Sequence, residues 1–232
     1  STTKTVKPKN FEKIEKNILL GKFDYKKDSN FSIVSSKYSS KTIYLRKEVL
    51  LKFDQMYNAA LKDGIKLVII SGTRSFNHQK YIWDRKWAKN ILKMDSISAV
   101  KEIMKYSSMP STSRHHWGTD IDLNNLENSY FEIAEGKKIF DWLVKNAFKY
   151  GFHMTYDNQE QTKRTGYKME KWHWSYMPIS EQFLIQFNEY INCENISSFK
   201  GSKFACHPKV DVIKNFVNGI NTDFKKIINV TE

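Results

Sequence analysis

GIKLVIISGTRSFNHQKYIWDRKWAKNIL, residues 64–92, holds the signals that set the fold class. KLVIIS (66–71) is short, rich in β-branched residues and bounded by Gly64 and Gly72, the pattern of a buried strand. Ser75 can then cap a helix over about Phe76 to Leu92, with Ile82, Trp83, Trp87 and Ile91 on one face. Upstream, Val49, Leu50, Phe53, Met56, Tyr57, Ala60 and Leu61 recur at helical spacing. They predict a helix from Arg46 to Asp63, stopped by Gly64. Downstream, a second helical stretch covers about Ile97 to Tyr106. SSMPSTSRHHWG (107–118) reads as loop from its Ser, Pro and Gly content, and TDIDL (119–123) alternates like a strand. Ile139, Phe140, Leu143, Val144, Ala147 and Phe148 mark a helix ending at Gly151. GFHMTY (151–156) and EKWHWSY (170–176) read as two further strands joined by the polar loop DNQEQTKRTG. After Pro178 the pattern is helical and amphipathic to the end, interrupted between Cys193 and Cys206.

Helices thus precede and interrupt a few strands without a regular βαβ rhythm. The expected class is α+β, with a small, mainly antiparallel sheet flanked by helices and a helical C-terminal extension. Three segments are expected: an N-terminal arm over 1–40 with one short helix around Phe11 to Leu20, a central domain over 41–180, and the extension over 181–232.

Composition narrows the function classes. With 40% hydrophobic and 14% aromatic residues, the chain can build a core and lacks the profile of a disordered one. No apolar run reaches membrane-spanning length. The first residues, STTKTVKPKNF, hold no apolar stretch, as expected for a cytosolic chain or for one whose leader has been removed. Lys and Arg number 38 against 25 Asp and Glu, a formal charge of +13, which favours anionic partners. These basic residues are spread along the chain without interleaved aromatics, so nucleic-acid binding is not expected. Cys193 and Cys206 can close a disulfide loop if the compartment is oxidising.

Four of the six histidines, His115, His116, His153 and His173, are candidates for chemistry. A catalytic zinc takes three N or O ligands and keeps one position open for water. His115 lies in a loop, Asp122 follows seven residues later at a strand end, and His173 would come from a neighbouring strand. Glu170, three residues before His173, can serve as general base to a metal-bound water. Arg74 can stabilise an oxyanion or pair with a terminal carboxylate. Taken alone, each has an ordinary reading. A histidine between aromatics is often a hydrogen-bonded ring, Asp122 a strand-end acceptor, Arg74 a helix-start salt bridge and Glu170 a surface charge.

SGTRSFNHQ (71–79), SRHHWGTDID (113–122) and EKWHW (170–174) together resemble the signatures of the D-alanyl-D-alanine carboxypeptidases of the vancomycin-resistance type. These zinc peptidases are grouped with lysostaphin-type enzymes and hedgehog domains. The resemblance covers roughly residues 40–180. It implies Zn²⁺ held by His115, Asp122 and His173, with Glu170 as base and Arg74 as substrate or transition-state arginine. It also implies Gln79 and Ser113 in the site lining. The substrate would be a peptidoglycan stem peptide, losing its terminal D-alanine. The alternatives are cleavage of an L,D bond, endopeptidase action on cross-links, or a zinc-bearing wall-binding module without turnover. The implied location is the cell envelope, periplasmic or surface-exposed. Two departures stand out. Asp120 occupies a position that is often small in the family, and shares a strand face with Asp122; family spacing favours Asp122 as the ligand. Thr73 replaces a common tyrosine. His116 is expected behind the site or at the surface, and His153 is most simply a strand residue.

Overall fold

The computed structural model describes residues 11–224. Helix α1 (Lys16–Leu19) is a single turn, shorter than the expected helix from Phe11. Strands β1 (Phe31–Ile33) and β2 (Tyr44–Arg46) pair as an antiparallel ribbon, so much of the expected arm is folded. Helix α2 (Lys47–Lys62) follows, and its buried residues Val49, Phe53, Met56, Tyr57 and Ala60 keep one helical face. Then come β3 (Ile69–Ser71), α3 (Phe76–Asn90), α4 (Ser96–Ile103), β4 (Asp120–Leu123), α5 (Ala134–Asn146) and β5 (Phe152–Met154). The chain continues with α6 (Gln159–Thr162), β6 (His173–Tyr176) and α7 (Met177–Tyr190). Ser75 caps α3 by accepting from the His78 N–H at 3.1 Å, and Pro178 lies in the first turn of α7.

Strands β3, β4, β6 and β5 form one sheet in that order, antiparallel throughout. Its two faces have different jobs. Ile121 and Leu123 of β4, Trp174 and Tyr176 of β6, and Phe152 of β5 join α2 and α5 in one apolar core. The intervening residues Asp120, Asp122, His173 and Ser175 are polar, yet all four are buried. A second core packs Leu19 against Trp83, Trp117, Phe183, Phe187 and the later segment through Val217. The polar face is buried beside this second core and opens into the cleft described below.

The helical character of the C-terminal extension rests on α7. Beyond Tyr190 the described chain makes short 3-10 turns and one π-helical turn over Ile213–Val217. The helical pattern expected after Cys206 is thus met over 207–224 only by turns and that π-helical turn, and its remainder, residues 225–232, lies outside the described range. Cys193 and Cys206 form a disulfide, with Cα atoms 5.2 Å apart. The polar loop after β5 is built around a buried ion pair, Arg164 Nε to Asp157 Oδ1 at 2.7 Å, and contains α6.

The sequence-expected strand over 170–176 is shorter, and the difference has a consequence. Residues 170 and 173 on one strand would face opposite sides of the sheet. Instead Glu170 stands in a turn, where the His173 N–H donates to its carbonyl at 3.2 Å. The turn folds Glu170 back to the polar face.

The disulfide closes a loop of 13 residues' separation, so replacing both cysteines with serine is expected to cost about 3 kcal/mol. Denaturant unfolding of the two forms measures it.

Candidate metal centre

Register places the first two groups of the site. Asp122 and His173 are direct cross-strand partners on β4 and β6. Such pairs stand close enough for their side chains to meet. His173 Nδ1 lies 3.3 Å from Asp122 Oδ1. His115 arrives from a 3-10 turn over Arg114–Trp117, capped by Ser113, whose Oγ accepts from the His115 N–H at 3.2 Å. Gly118 ends that turn at φ +75°, a conformation glycine adopts freely. His115 Nε2 then comes within 3.3 Å of Asp122 Oδ1.

These two separations match the donors of a tetrahedral ion. Bonds of about 2.0–2.1 Å at tetrahedral angles put neighbouring ligand atoms about 3.3 Å apart. All three donor atoms lie within 4.8 Å of one another. His115 Nε2 and Asp122 Oδ1 are also buried without a hydrogen-bond partner, a costly arrangement that a bound cation would relieve. Two imidazoles and a carboxylate, with no thiolate, suit a catalytic rather than a structural metal.

The far nitrogen of each imidazole is tied down. His115 Nδ1 is 2.8 Å from the Gly72 carbonyl oxygen, so Nδ1 carries the proton and Nε2 is left as the donor. His173 Nε2 is 2.6 Å from Asp120 Oδ2, which leaves Nδ1 free. Asp120 therefore stands behind the candidate ligand His173, while Asp122 belongs to the group that could hold a metal ion. The Asp120 carboxylate also accepts from Arg114 Nε (3.1 Å), Thr119 Oγ1 (2.7 Å) and Ser175 Oγ (2.7 Å). A carboxylate behind a ligating histidine sets its tautomer and raises its basicity. The Arg114, Thr119 and Ser175 contributions were not singled out from sequence. Ser175 could have been, because it shares the strand face of His173 two residues on.

Electrostatics point the same way. Burial disfavours charge on His173, but Asp120, Asp122 and Glu170 push its pKa well above the ordinary value. Burial likewise works against ionised Asp122, yet His115 and His173 hold it well below the carboxylate range. The cluster draws positive charge to its centre.

Glu170 Oε2 lies 3.4 Å from His173 Nδ1, beside the ligand atoms. Burial raises its pKa, and His173 pulls it back down. Arg74, Gln79, Ser113 and Glu170 line a cleft of about 700 Å³ together with the three candidate ligands. Burial lowers the pKa of Arg74, opposed by Asp122 and Glu170, and its Nε is buried without a partner. His116 points away from the cluster. Its Nδ1 bonds the Arg74 carbonyl at 2.8 Å while Nε2 accepts from the Ser111 N–H at 3.1 Å. Burial pushes its pKa to about 3, so the ring is neutral and braces Arg74. His153 lies against the Phe224 ring, centroids 5.9 Å apart, outside the cluster.

Comparison with known proteins shows the family. The VanY family model, D-alanyl-D-alanine carboxypeptidase, matches residues 42–179. The chain belongs to the VanY family. Among curated VanY-like relatives, a D-alanyl-D-alanine carboxypeptidase of Enterococcus faecalis is 30% identical over 145 residues, 60% of this chain and 52% of that one. The chain spans about half the length of such curated relatives. Among solved structures, a zinc-bound glutamate-to-alanine variant of the D,D-pentapeptidase VanY from the VanB-type resistance cassette is 25% identical. It has a TM-score of 0.51 over 69% of this chain and 94% of that one. The LD-carboxypeptidase LdcB is also 25% identical, with a TM-score of 0.55 over 79% and 88%.

Replacing Asp120 with asparagine is expected to weaken divalent-ion binding about 10- to 100-fold, as loss of a carboxylate behind a ligand does. Replacing Asp122 with asparagine is expected to weaken it further. Competition with a chelator ranks the two, and the reverse ranking would exchange their roles.

Proposed function

We propose that the protein is a zinc-dependent D-alanyl-D-alanine carboxypeptidase that removes the terminal D-alanine from peptidoglycan stem peptides. The observation that carries this reading is the convergence of His115 Nε2, Asp122 Oδ1 and His173 Nδ1 within 4.8 Å of one another, both imidazole nitrogens 3.3 Å from the Asp122 oxygen, with Glu170 alongside. The zinc of the VanY neighbour supports the choice of metal.

His115, Asp122 and His173 would hold the zinc. When bound, zinc supplies Lewis acidity and lowers the pKa of a coordinated water toward about 7. Glu170 takes the proton of the attacking water on its carboxylate. It later returns that proton to the departing amine, so water adds across the peptide bond with no net change in the enzyme. Burial of Glu170 raises its affinity for a proton, the direction this exchange needs. Arg74 meets the negative charge of the substrate, either on the scissile oxygen or on the terminal carboxylate. Gln79 and Ser113 position the peptide in the cleft.

An L,D bond is the second reading, favoured by the equal identity to the LD-carboxypeptidase. Mass analysis of products from a defined pentapeptide and a defined tetrapeptide separates the two. We place the enzyme in the cell envelope, where its substrate is. The Cys193–Cys206 disulfide supports an oxidising compartment, and the charge of +13 suits an anionic wall.

Glu170→Ala is expected to keep zinc and lower kcat by at least about 100-fold. Metal analysis and D-alanine release are measured on the same preparation. Near wild-type release would remove Glu170 from the chemistry.

A further inference from the structure

Helix α3 turns one face to the cleft, presenting Gln79, Ile82 and Lys86 at i, i+3 and i+7. Gln79 and Lys86 are both anchored to the segment opposite. Gln79 donates through Nε2 to the Ser108 carbonyl at 2.9 Å, and Lys86 donates through Nζ to Ser107 Oγ. Lys86 is half-buried. Its ammonium has three donors, and the partner it does have is a neutral hydroxyl. Among the described residues no carboxylate lies within ion-pair distance of it. A partly desolvated cation with a neutral partner is costly, and an incoming anion would offset that cost.

The position of Lys86 along the cleft indicates which anion. Arg74 stands one residue before the cap of α3, and its N–H donates to the carbonyl of His115 at 3.1 Å. Lys86 lies about three turns further along that helix, on the face that lines the same cleft. The two cations thus stand in series, Arg74 toward the ligand cluster and Lys86 beyond it. A carboxypeptidase substrate brings two negative groups in the same series, the oxyanion that develops at the scissile carbonyl and the permanent carboxylate one residue further on.

We propose that Lys86 is a specificity residue that binds the substrate's terminal carboxylate, which leaves Arg74 to the scissile oxygen. This rests on the carboxypeptidase reading. Lys86 lies outside the three sequence signatures, so the assignment comes from its place on α3, its anchor at Ser107 and its unmatched charge in the cleft.

The test uses the zinc-loaded chain and one stem pentapeptide in two forms, with a free or an amidated C-terminus. A charge-assisted contact predicts a preference of about 10- to 100-fold in kcat/KM for the free acid in the wild type. Lys86→Met should bring the acid down to the amide, mainly through KM, with the amide changed by less than about twofold. Lys86→Arg should restore most of the preference. A second arm titrates D-Ala-D-Ala and its amide into a Glu170→Gln background with and without Lys86→Met, reading Kd. Lys86→Met should there abolish the acid-over-amide preference. If Lys86→Met lowers both peptides equally, or leaves the acid-to-amide ratio intact in either arm, the proposal is overturned. If the wild type releases D-alanine from neither form, the proposed activity fails instead, and the titration still decides the role of the lysine.

Discussion

Antiparallel pairing of β4 with β6 puts Asp122 opposite His173 and Asp120 opposite Ser175, and the rest of the site is arranged around those two pairs. Because side chains alternate across a strand, the same register turns Ile121, Trp174 and Tyr176 into the core under α2 and α5. A slip of one residue would bury the carboxylates among aromatics and expose the indole. The hydrophobic core therefore enforces the geometry of the polar face. Metal-site precision and folding energy depend on one register.

A polar face this buried needs its own charge balance. Arg114 and Asp120 are both almost fully inaccessible and paired at 3.1 Å. Such a pair gives little net stability, because desolvation offsets the attraction. Its value here is positional. Arg114, Thr119 and Ser175 fix the Asp120 carboxylate, and Asp120 fixes the His173 ring. Asp122 and Glu170 then remain as negative groups around the point where the candidate ligand atoms converge, with Arg74 close enough to both to be influenced by them. That charge balance suits a divalent ion shared by His115, Asp122 and His173.

Much of the architecture can be read from the sequence where periodicity is strong. Phe53, Met56 and Ala60 announce α2, and Ser75 marks the start of α3, because side-chain spacing and capping are local properties. The strands are shorter than their apolar patterns. Val68 belongs to the pattern of β3, but Ile69 begins the strand, since pairing depends on how far β4 extends beside it. The candidate ligands stand out only when the three signatures are taken together, for convergence in space leaves no mark on any one of them. Asp120 and Asp122 could not be separated by alternation, because both share a face; hydrogen bonding to the remote nitrogen of His173 distinguishes them. The turn that swings Glu170 onto that face is likewise a tertiary result, as a strand through residue 170 would have sent it to the other side.

The segment before the family-matched region takes part in the site through its backbone. The Leu19 carbonyl accepts from Trp117 Nε1 at 3.2 Å, and the Gly21 carbonyl accepts from the Phe76 N–H at 2.8 Å. Gly21, at φ +73°, lies flat against the His116 ring, where a Cβ would collide. His116 in turn bonds the Arg74 carbonyl, and the Arg74 N–H donates to the His115 carbonyl at 3.1 Å. One chain of contacts thus runs from Gly21 through His116 to the candidate catalytic arginine and a candidate ligand. Glycine is required there by both its backbone angle and the space it leaves. A segment that reads as a Lys- and Ser-rich arm thereby braces the loop that carries His115, and the second core, through Leu19 and Trp117, keeps that brace in place.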